Sequence, residues 1–318
     1  MSDSAETVAA ELGGIRGDGK AESPWRVLVR QIAKNRAALA ALFFIFLLFL
    51  VVAFAPYLAP HGYDEQFRGA ENAPPWSRVN IEYPEDESQA GLQFFPLGTD
   101  ANARDVLSRI IFGARVSLAV GIVASFIGII VGVLIGLLSG YYGGWIDAAL
   151  MRMTDTVFAF PSVLLAVAIT SIYEKPNLTK VFFALGIVGW TGMARVVRSQ
   201  VLSVKQRDYI SAAQALGTSS ARIIMRHVLP NCMGPVIVVA TLSVGGNILG
   251  EAGLSFLGLG VQEPYPSWGA MLASAHDNNY REYWWLAVFP GLAIVATVLA
   301  FNLLGDGLRD ALDPKKIA

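Results

Sequence analysis

Six long apolar stretches restrict the fold of this chain more than any other feature of its sequence. They are residues 37–55, 116–138, 154–173, 181–197, 232–250 and 283–304. A helix needs roughly 20 apolar residues to cross a bilayer, and each stretch is close to that length. Because lipid cannot hydrogen-bond an open backbone, the sequence predicts an all-α integral membrane protein with six transmembrane helices.

The overall composition agrees with a membrane protein and excludes several other classes. Hydrophobic residues make up 54% of the chain and charged residues only 15%, whereas soluble domains carry about 25% charged residues. The net charge of −1 creates no field for nucleic acid, so no nucleic-acid partner is expected. The single cysteine, Cys232, rules out an internal disulfide and a multi-cysteine metal centre. We expect no catalytic residue, cofactor or metal on this chain.

The distribution of basic residues predicts the orientation in the membrane. Lysine and arginine collect on the cytoplasmic side of membrane proteins. Four basic residues lie between positions 26 and 36, and six lie in 195–231 beside the single acid Asp208. The segment 56–115 carries nine acidic and five basic residues. We therefore expect a multi-pass protein with both termini in the cytoplasm and with the segment after the first helix outside.

Several residues within or beside the predicted spans are expected to be structural. Pro161 predicts a kink in the third span. A glycine at every fourth position of the second span, from 128 to 140, predicts close helix packing, either within the chain or against a partner. Glu251 is expected near a membrane interface, where water can solvate it. Trp268 is expected to anchor at headgroup depth.

The sharpest functional signal lies in residues 208–230, DYISAAQALGTSSARIIMRHVLP. An apolar stripe at the helical spacing i, i+3, i+4 and i+7 is formed by Tyr209, Ala212, Ala213 and Leu216. A second such stripe is formed by Ala221, Ile224, Met225 and Val228. Gly217 predicts a positive-φ end to the first helix, and Pro230 is expected to stop the second. The pattern predicts two short amphipathic helices that meet at a glycine elbow, with a self-packed surface hairpin as the alternative.

This segment resembles the EAA loop of ABC importer permeases. In that motif, EAA is followed by three residues, a glycine, nine residues and then I-x-L-P. The residues that match at this spacing are Ala212, Ala213, Gly217, Leu229 and Pro230. Ser211 replaces the glutamate, and His227 replaces the isoleucine. The resemblance implies an ATPase-coupling loop whose residues are Tyr209, Ser211, Ala212, Ala213, Leu216, Gly217, Leu229 and Pro230.

Three further segments are similar to the second membrane subunit of dipeptide and oligopeptide importers. They are PLGTDANARDVLSRIIFGARVSL at 96–118, EAGLSFLGLGVQEPYPSWGAML at 251–272 and FNLLGDGLRDALDP at 301–314. The resemblance implies a type I ABC importer permease fold in a bacterial cytoplasmic (inner) membrane, surrounded by lipid. It also implies a homologous permease as heterodimer partner, two ATP-binding subunits that hold ATP and Mg, and an extracytoplasmic solute-binding protein. The expected cargo is a di- or oligopeptide.

The expected domain organisation combines the spans with this resemblance. A disordered cytoplasmic tail covers 1–24, and an N-terminal region with the first transmembrane helix covers 25–56. An external insert follows at 57–110. The permease core covers 111–308 and contains the coupling loop, 199–231, and a cytoplasmic tail covers 309–318.

Three other functions remain as alternatives. A secondary transporter usually shows two related halves and coupling acids at mid-membrane, which this sequence lacks. A membrane enzyme would need a constellation of reactive side chains, and none stands out in the sequence. A permease of the same family could instead carry nickel or glutathione.

Overall fold

The computed structural model describes residues 30–81, 90–172, 178–278 and 281–312. The expected tail 1–24 and residues 313–318 of the expected C-terminal tail lie outside these ranges. The described helices are α1 Arg36–Ala53, α2 Ala55–Leu58, α3 Val106–Tyr142, α4 Gly144–Phe158, α5 Ser162–Ser171, α6 Leu178–Lys205, α7 Asp208–Ala215, α8 Ser220–Ile223, α9 Leu229–Phe256, α10 Trp268–Asp277 and α11 Trp285–Leu312. A π-helical turn, Ile224–Val228, joins α8 to α9, and two strands, β1 Ser77–Ile81 and β2 Gly91–Phe95, lie between α2 and α3.

Among the residues that the structure describes, five helical stretches are long and apolar enough to cross a membrane. They are α1, α3, α6, the continuous run from α8 to the end of α9, and α11. The pair formed by α4 and α5 passes the same test but is bent by 85°, and it makes six spans if it counts as one. The predicted number of six transmembrane helices is confirmed in this sense.

The third predicted span, 154–173, is wrong as a single continuous helix. Helix α4 begins ten residues earlier, at Gly144, and ends at Phe158, and α5 begins only at Ser162. Pro161 precedes α5 and disfavours a helical conformation at Phe160. The proline therefore produces a break rather than the kink that the sequence predicts. Residue 173 lies outside the described residues.

The glycine stripe of α3 is used within the chain, which decides between the two expected uses. Helix α3 packs along its length against α6. A Cβ atom built on Gly132 would lie 2.6 Å from the Cβ of Met193, and one on Gly140 would lie 2.7 Å from the Cβ of Val201. Side chains at these positions would push the two helices apart. The absence of a Cβ on this stripe is therefore what allows the close contact.

The segment between α2 and α3 has its own small core. Strands β1 and β2 pair antiparallel, with Ser77 opposite Phe95 and Ile81 opposite Gly91. Four buried residues, Phe67, Ala70, Ile81 and Phe95, pack together beneath this hairpin. The Trp285 indole at the start of α11 donates a hydrogen bond to the carbonyl of Thr99 at 3.2 Å, which attaches the insert to the helices. We call this part of the molecule the insert end.

The segment that follows α9 folds back onto the end of that helix, which corrects two expectations. Glu251 lies in α9 and is fully buried, not at a solvated interface; its Oε1 accepts hydrogen bonds from Ser255 at 2.6 Å and Ser267 at 2.7 Å. Trp268 is also buried, not exposed to headgroups, and its indole donates to the carbonyl of Ile110 at 3.0 Å. Helix α9 continues to Phe256, beyond the predicted end at residue 250, and the segment after it then covers Glu251.

Candidate functional site

Helix α7 and the glycine elbow after it form the candidate site, at the opposite ends of α6 and α9 from the insert. The elbow adopts the conformation that the sequence predicts, with φ +73° at Gly217. The N–H of Gly217 donates to the carbonyl of Gln214 at 2.9 Å, and the N–H of Thr218 donates to the carbonyl of Ala213 at 3.1 Å. These two bonds are the Schellman arrangement that satisfies the last carbonyl groups of a helix.

A single fully buried side chain anchors α7. Ile210 has no exposed surface and packs in the cluster that contains Val201, Val204 and Val228. The half-buried Ala213 packs against the same cluster. The predicted stripe does not include Ile210, because its i, i+3, i+4, i+7 register starts one residue earlier. The signal that could have found it is the run of buried apolar residues in the helices on either side.

The predicted apolar stripe of α7 is mostly exposed in the isolated chain. Tyr209 is 40% exposed and Leu216 is 85% exposed, and Ala212 between them is also exposed. Met225, beyond the elbow, is 64% exposed. A surface hairpin that packed on itself would bury these side chains. The exposed apolar surface of α7 is instead available to another molecule, and we call Tyr209, Ala212 and Leu216 the outer face.

The second short helix differs from the prediction. Pro230 does not stop it, because α8, the π-helical turn and α9 form one continuous run from Ser220 to Phe256. Proline lacks an N–H and its ring collides with the carbonyl four residues earlier, and the wider π turn immediately before it relieves that collision. The predicted second stripe is also split, since Ile224 and Val228 are buried while Ala221 and Met225 are exposed.

The other predicted site residues fall on both sides of α7. Leu229 is half-buried and packs against the cluster that holds Ile210. Ser211 and Pro230 are exposed. The rings of Tyr209 and His227 lie 6.2 Å apart, which brings α7 next to the π turn. Only residues 206–219 of the predicted loop 199–231 lie between long helices, because α6 continues to Lys205 and the next run begins at Ser220.

Ion pairs hold the helices that support α7. Arg198 of α6 binds both carboxylate oxygens of Asp147 in α4, each at 2.6 Å. Arg195 binds Asp155 at 2.7 Å and lies 3.9 Å from the centre of the Phe158 ring. Both acids therefore hold helices together. These bonds tie α4 to the half of α6 that leads into the candidate site.

A second cluster of charged residues, at the insert end, escaped sequence reasoning. Arg104 and Arg109 are each only 3% exposed, and both contact Asp100. The Glu263 carboxylate, on the segment between α9 and α10, pairs with the Arg104 guanidinium and lies 3.5 Å from that of Arg109. The hydrogen bond from Arg104 lowers the pKa of Glu263, against the effect of its partial burial. Sequence separation of more than 150 residues hides this contact from any local pattern.

A metal centre does not emerge in the part of the chain that the structure describes. There, no group of three or more His, Cys, Asp or Glu side chains is placed to hold a metal ion. Cys232 is buried in the cluster around Ile210.

The fold of this chain resembles that of chains in two solved ABC transporters. A methionine ABC transporter solved in inward-facing conformations, MetNI, superposes with a TM-score of 0.54 and 18% identity over 65% of this chain and 98% of that one. An amino acid ABC transporter solved with histidines superposes with a TM-score of 0.51 over 65% of this chain and 95% of that one, at 16% identity. These likenesses concern the fold alone.

The chain belongs to the family of binding-protein-dependent transport system inner membrane components. That family model matches residues 132–318, and the N-terminal transmembrane domain of oligopeptide transport permease C matches residues 23–75. The protein is thus a permease of the inner membrane that crosses it several times, and the resemblance seen in the sequence is confirmed. This membership also decides against the secondary transporter.

Three curated relatives show where in the family the chain falls. It is 45% identical to the di/tripeptide transport system permease protein DppC of Pseudomonas aeruginosa, over 92% of this chain and 93% of that protein. It is 44% identical to the oligopeptide transport system permease protein OppC of Escherichia coli, over 92% of both. The glutathione transport system permease protein GsiD of Shigella flexneri is 42% identical, over 92% of this chain and 91% of that protein.

Proposed function

We propose that this chain is one of two homologous, non-catalytic membrane subunits of an ATP-driven importer of di- and oligopeptides. Two ATP-binding subunits hold ATP and Mg, and an extracytoplasmic solute-binding protein delivers the cargo. The named relatives support a peptide cargo, since two of the three described above are permeases for peptides. Glutathione, the cargo in the name of the third, is itself a small peptide.

The exposure of the outer face of α7 is the observation that best supports a role in coupling to the ATPase. Alternating access requires an element that differs in its contacts between two states and so transmits the work of a soluble motor to the membrane helices. Helix α7 lies between two membrane-spanning helices, α6 and the run that contains α9. Its side chain Ile210 is buried against those helices, whereas Tyr209, Ala212 and Leu216 are exposed. An ATPase groove that binds this face can therefore move α6 and α9 together.

The proposed orientation puts α7 and both termini in the cytoplasm. The basic residues of 195–231 support it, because they flank the end of the bundle that carries α7. The insert end then faces outward. The hairpin of β1 and β2 and the cluster around Glu263 lie where a solute-binding protein would dock.

The decisive experiment places a charge on the outer face without disturbing the chain's own packing. Ala212→Asp adds a carboxylate at an exposed position that the proposed interface would bury. An unpaired charge buried in this way costs several kcal/mol. Gln214→Asp is the matched control, since Gln214 is exposed on the same helix and lies off the stripe. Ala213 is less suitable because it is half-buried against the chain's own cluster.

We expect Ala212→Asp to abolish peptide uptake and peptide-stimulated ATP hydrolysis in vesicles reconstituted with the whole complex. The same variant should lose ATP-binding subunits during purification, while Gln214→Asp retains both subunits and uptake. Normal uptake by Ala212→Asp with normal stoichiometry would refute the coupling role. Uptake of radiolabelled dialanine, glutathione and nickel by the wild-type complex tests the cargo, and transport of nickel alone would refute the peptide proposal.

A further inference from the structure

A cavity of about 450 Å³ opens between α3, α5, α6 and α9, within the membrane-spanning part of the chain. Its volume lies in the range of sites that hold small-molecule ligands, about 300–1,000 Å³. Its wall is largely apolar, and the polar residues in that wall are Ser125, Ser162, Thr191, Ser243 and Asn247. Every one of the described residues that line it is uncharged.

Two of these polar residues form an ordered pair. The Asn247 side-chain Nδ2 donates a hydrogen bond to the Ser125 hydroxyl at 2.9 Å. The Ser125 hydroxyl in turn donates to the carbonyl of Gly121 at 2.7 Å. This chain of bonds orients the amide of Asn247, which lines the cavity, and it does not use the amide's acceptor oxygen, Oδ1. An acceptor held in this way suits the N–H of a peptide bond.

Two glycines widen the cavity at opposite walls. Gly189 lies on α6 and Gly246 on α9, and both line the cavity. A Cβ atom built on either glycine would have no other atom within 4 Å. The glycines are therefore not required for close helix packing, unlike those of the α3 stripe. The space that their missing side chains leave belongs to the cavity.

We propose that this cavity binds a peptide during transport. Asn247 accepts a hydrogen bond from a main-chain N–H of the peptide. Gly189 and Gly246 determine how large the side chains of the peptide can be. The inference rests on the proposed function and extends it to the residues that contact cargo. A wall without charges can bind the amide groups that all peptides share and favours neither sign of side-chain charge. A bare cation would need carboxylate or imidazole ligands, and the described wall offers none.

The test enlarges the two glycines and compares cargoes that differ in bulk. The whole complex is reconstituted with wild-type chain, Gly246→Leu, Gly189→Leu or the control Gly192→Leu, and uptake of labelled dialanine and ditryptophan is measured. Gly192 lies on the same helix as Gly189 and also has open space around its Cβ position, but it does not line the cavity. Subunit stoichiometry and the ATP hydrolysis of each complex identify any variant that fails to assemble.

We expect the ratio of ditryptophan to dialanine uptake to fall about tenfold in Gly246→Leu and Gly189→Leu, because a few methylene groups in an apolar pocket discriminate at that level. Gly192→Leu should keep the wild-type ratio. Asn247→Leu should raise KM for both dipeptides and leave their ratio unchanged.

Two results would overturn the inference in distinguishable ways. If wild type imports both dipeptides and the ratio is the same in all assembled glycine variants, the cavity does not set cargo size. The same conclusion follows if Gly192→Leu lowers the ratio as much as the two cavity variants. If the wild-type complex imports neither dipeptide, the proposed function fails, and the inference fails with it.

Discussion

Removing the anchor of α7 should detach the coupling helix while leaving the membrane bundle intact. The perturbation is Ile210→Ala. Ile210 is fully buried, so the substitution removes its contacts and leaves a cavity in the cluster with Val201, Val204 and Val228. Substitutions of this kind cost about 2–5 kcal/mol. Since α7 has few other buried side chains, most of that cost falls on the equilibrium between its docked and undocked positions.

The lower limit of this cost already produces a measurable effect. A change of about 2 kcal/mol shifts an equilibrium by about 30-fold. Hydrogen exchange of the amides in residues 212–216, measured by mass spectrometry on the complex in lipid discs, should therefore accelerate by about 30-fold or more. Peptide-stimulated ATP hydrolysis should fall in parallel, because an undocked α7 no longer transmits movement to α6 and α9.

Leu216→Ala separates the anchor from the contact surface. Leu216 is 85% exposed, so its truncation should change the stability of the subunit by no more than about 0.5 kcal/mol. Exchange in residues 212–216 of the free subunit should stay at the wild-type rate, while coupling to the ATPase weakens. Wild-type exchange in Ile210→Ala would show that the buried anchor does not hold α7, and the reasoning from burial would then be wrong.

Three further substitutions test other parts of the structure. Gly217→Ala should lower the stability of the elbow by about 1–2 kcal/mol because Gly217 has a positive φ, and Gly217→Val should lower it further. Uptake by the complex should therefore be lower with valine than with alanine. Equal uptake by the two variants would argue against the elbow. Asp147→Asn removes the bidentate ion pair with Arg198, which is worth about 1–3 kcal/mol, and should lower the thermal unfolding midpoint of the purified subunit. Asp155→Asn should have little effect on that midpoint, because the ion pair of Asp155 with Arg195 is more exposed. The folded pKa of Glu263 lies below its ordinary value of 4.5, so its contribution to stability is complete above that pH and is lost as pH falls through the folded pKa. Protection of the segment 257–267 from hydrogen exchange, corrected for the intrinsic pH dependence of the exchange rate, should therefore fall on acidification in the wild type. Glu263→Gln, which cannot form the ion pair with Arg104, should show low protection at every pH.

Sequence reasoning succeeded where the physical cause is local. Crossing lipid requires an apolar stretch about as long as the bilayer is thick, so hydropathy alone predicted the number of spans, although not the break in the third one. A helix that ends in a Schellman turn requires positive φ, so Gly217 predicted the elbow. Pro161 marked the position of the 85° bend, although not its size, because the bend depends on how α5 packs against α6 and α9.

The sequence alone predicted six spans and the glycine elbow at Gly217, because span length and turn chemistry depend on consecutive residues. The permease family followed from the resemblance of its motifs and not from these local patterns. Only the tertiary structure decided which faces are buried. It placed Ile210 inward and Leu216 outward, and it brought Glu263 to two buried arginines more than 150 residues away. Burial of a residue depends on which other parts of the chain pack beside it. A helical stripe in the sequence shows that several residues share one face of a helix, but it does not show whether that face packs against the core or against a partner.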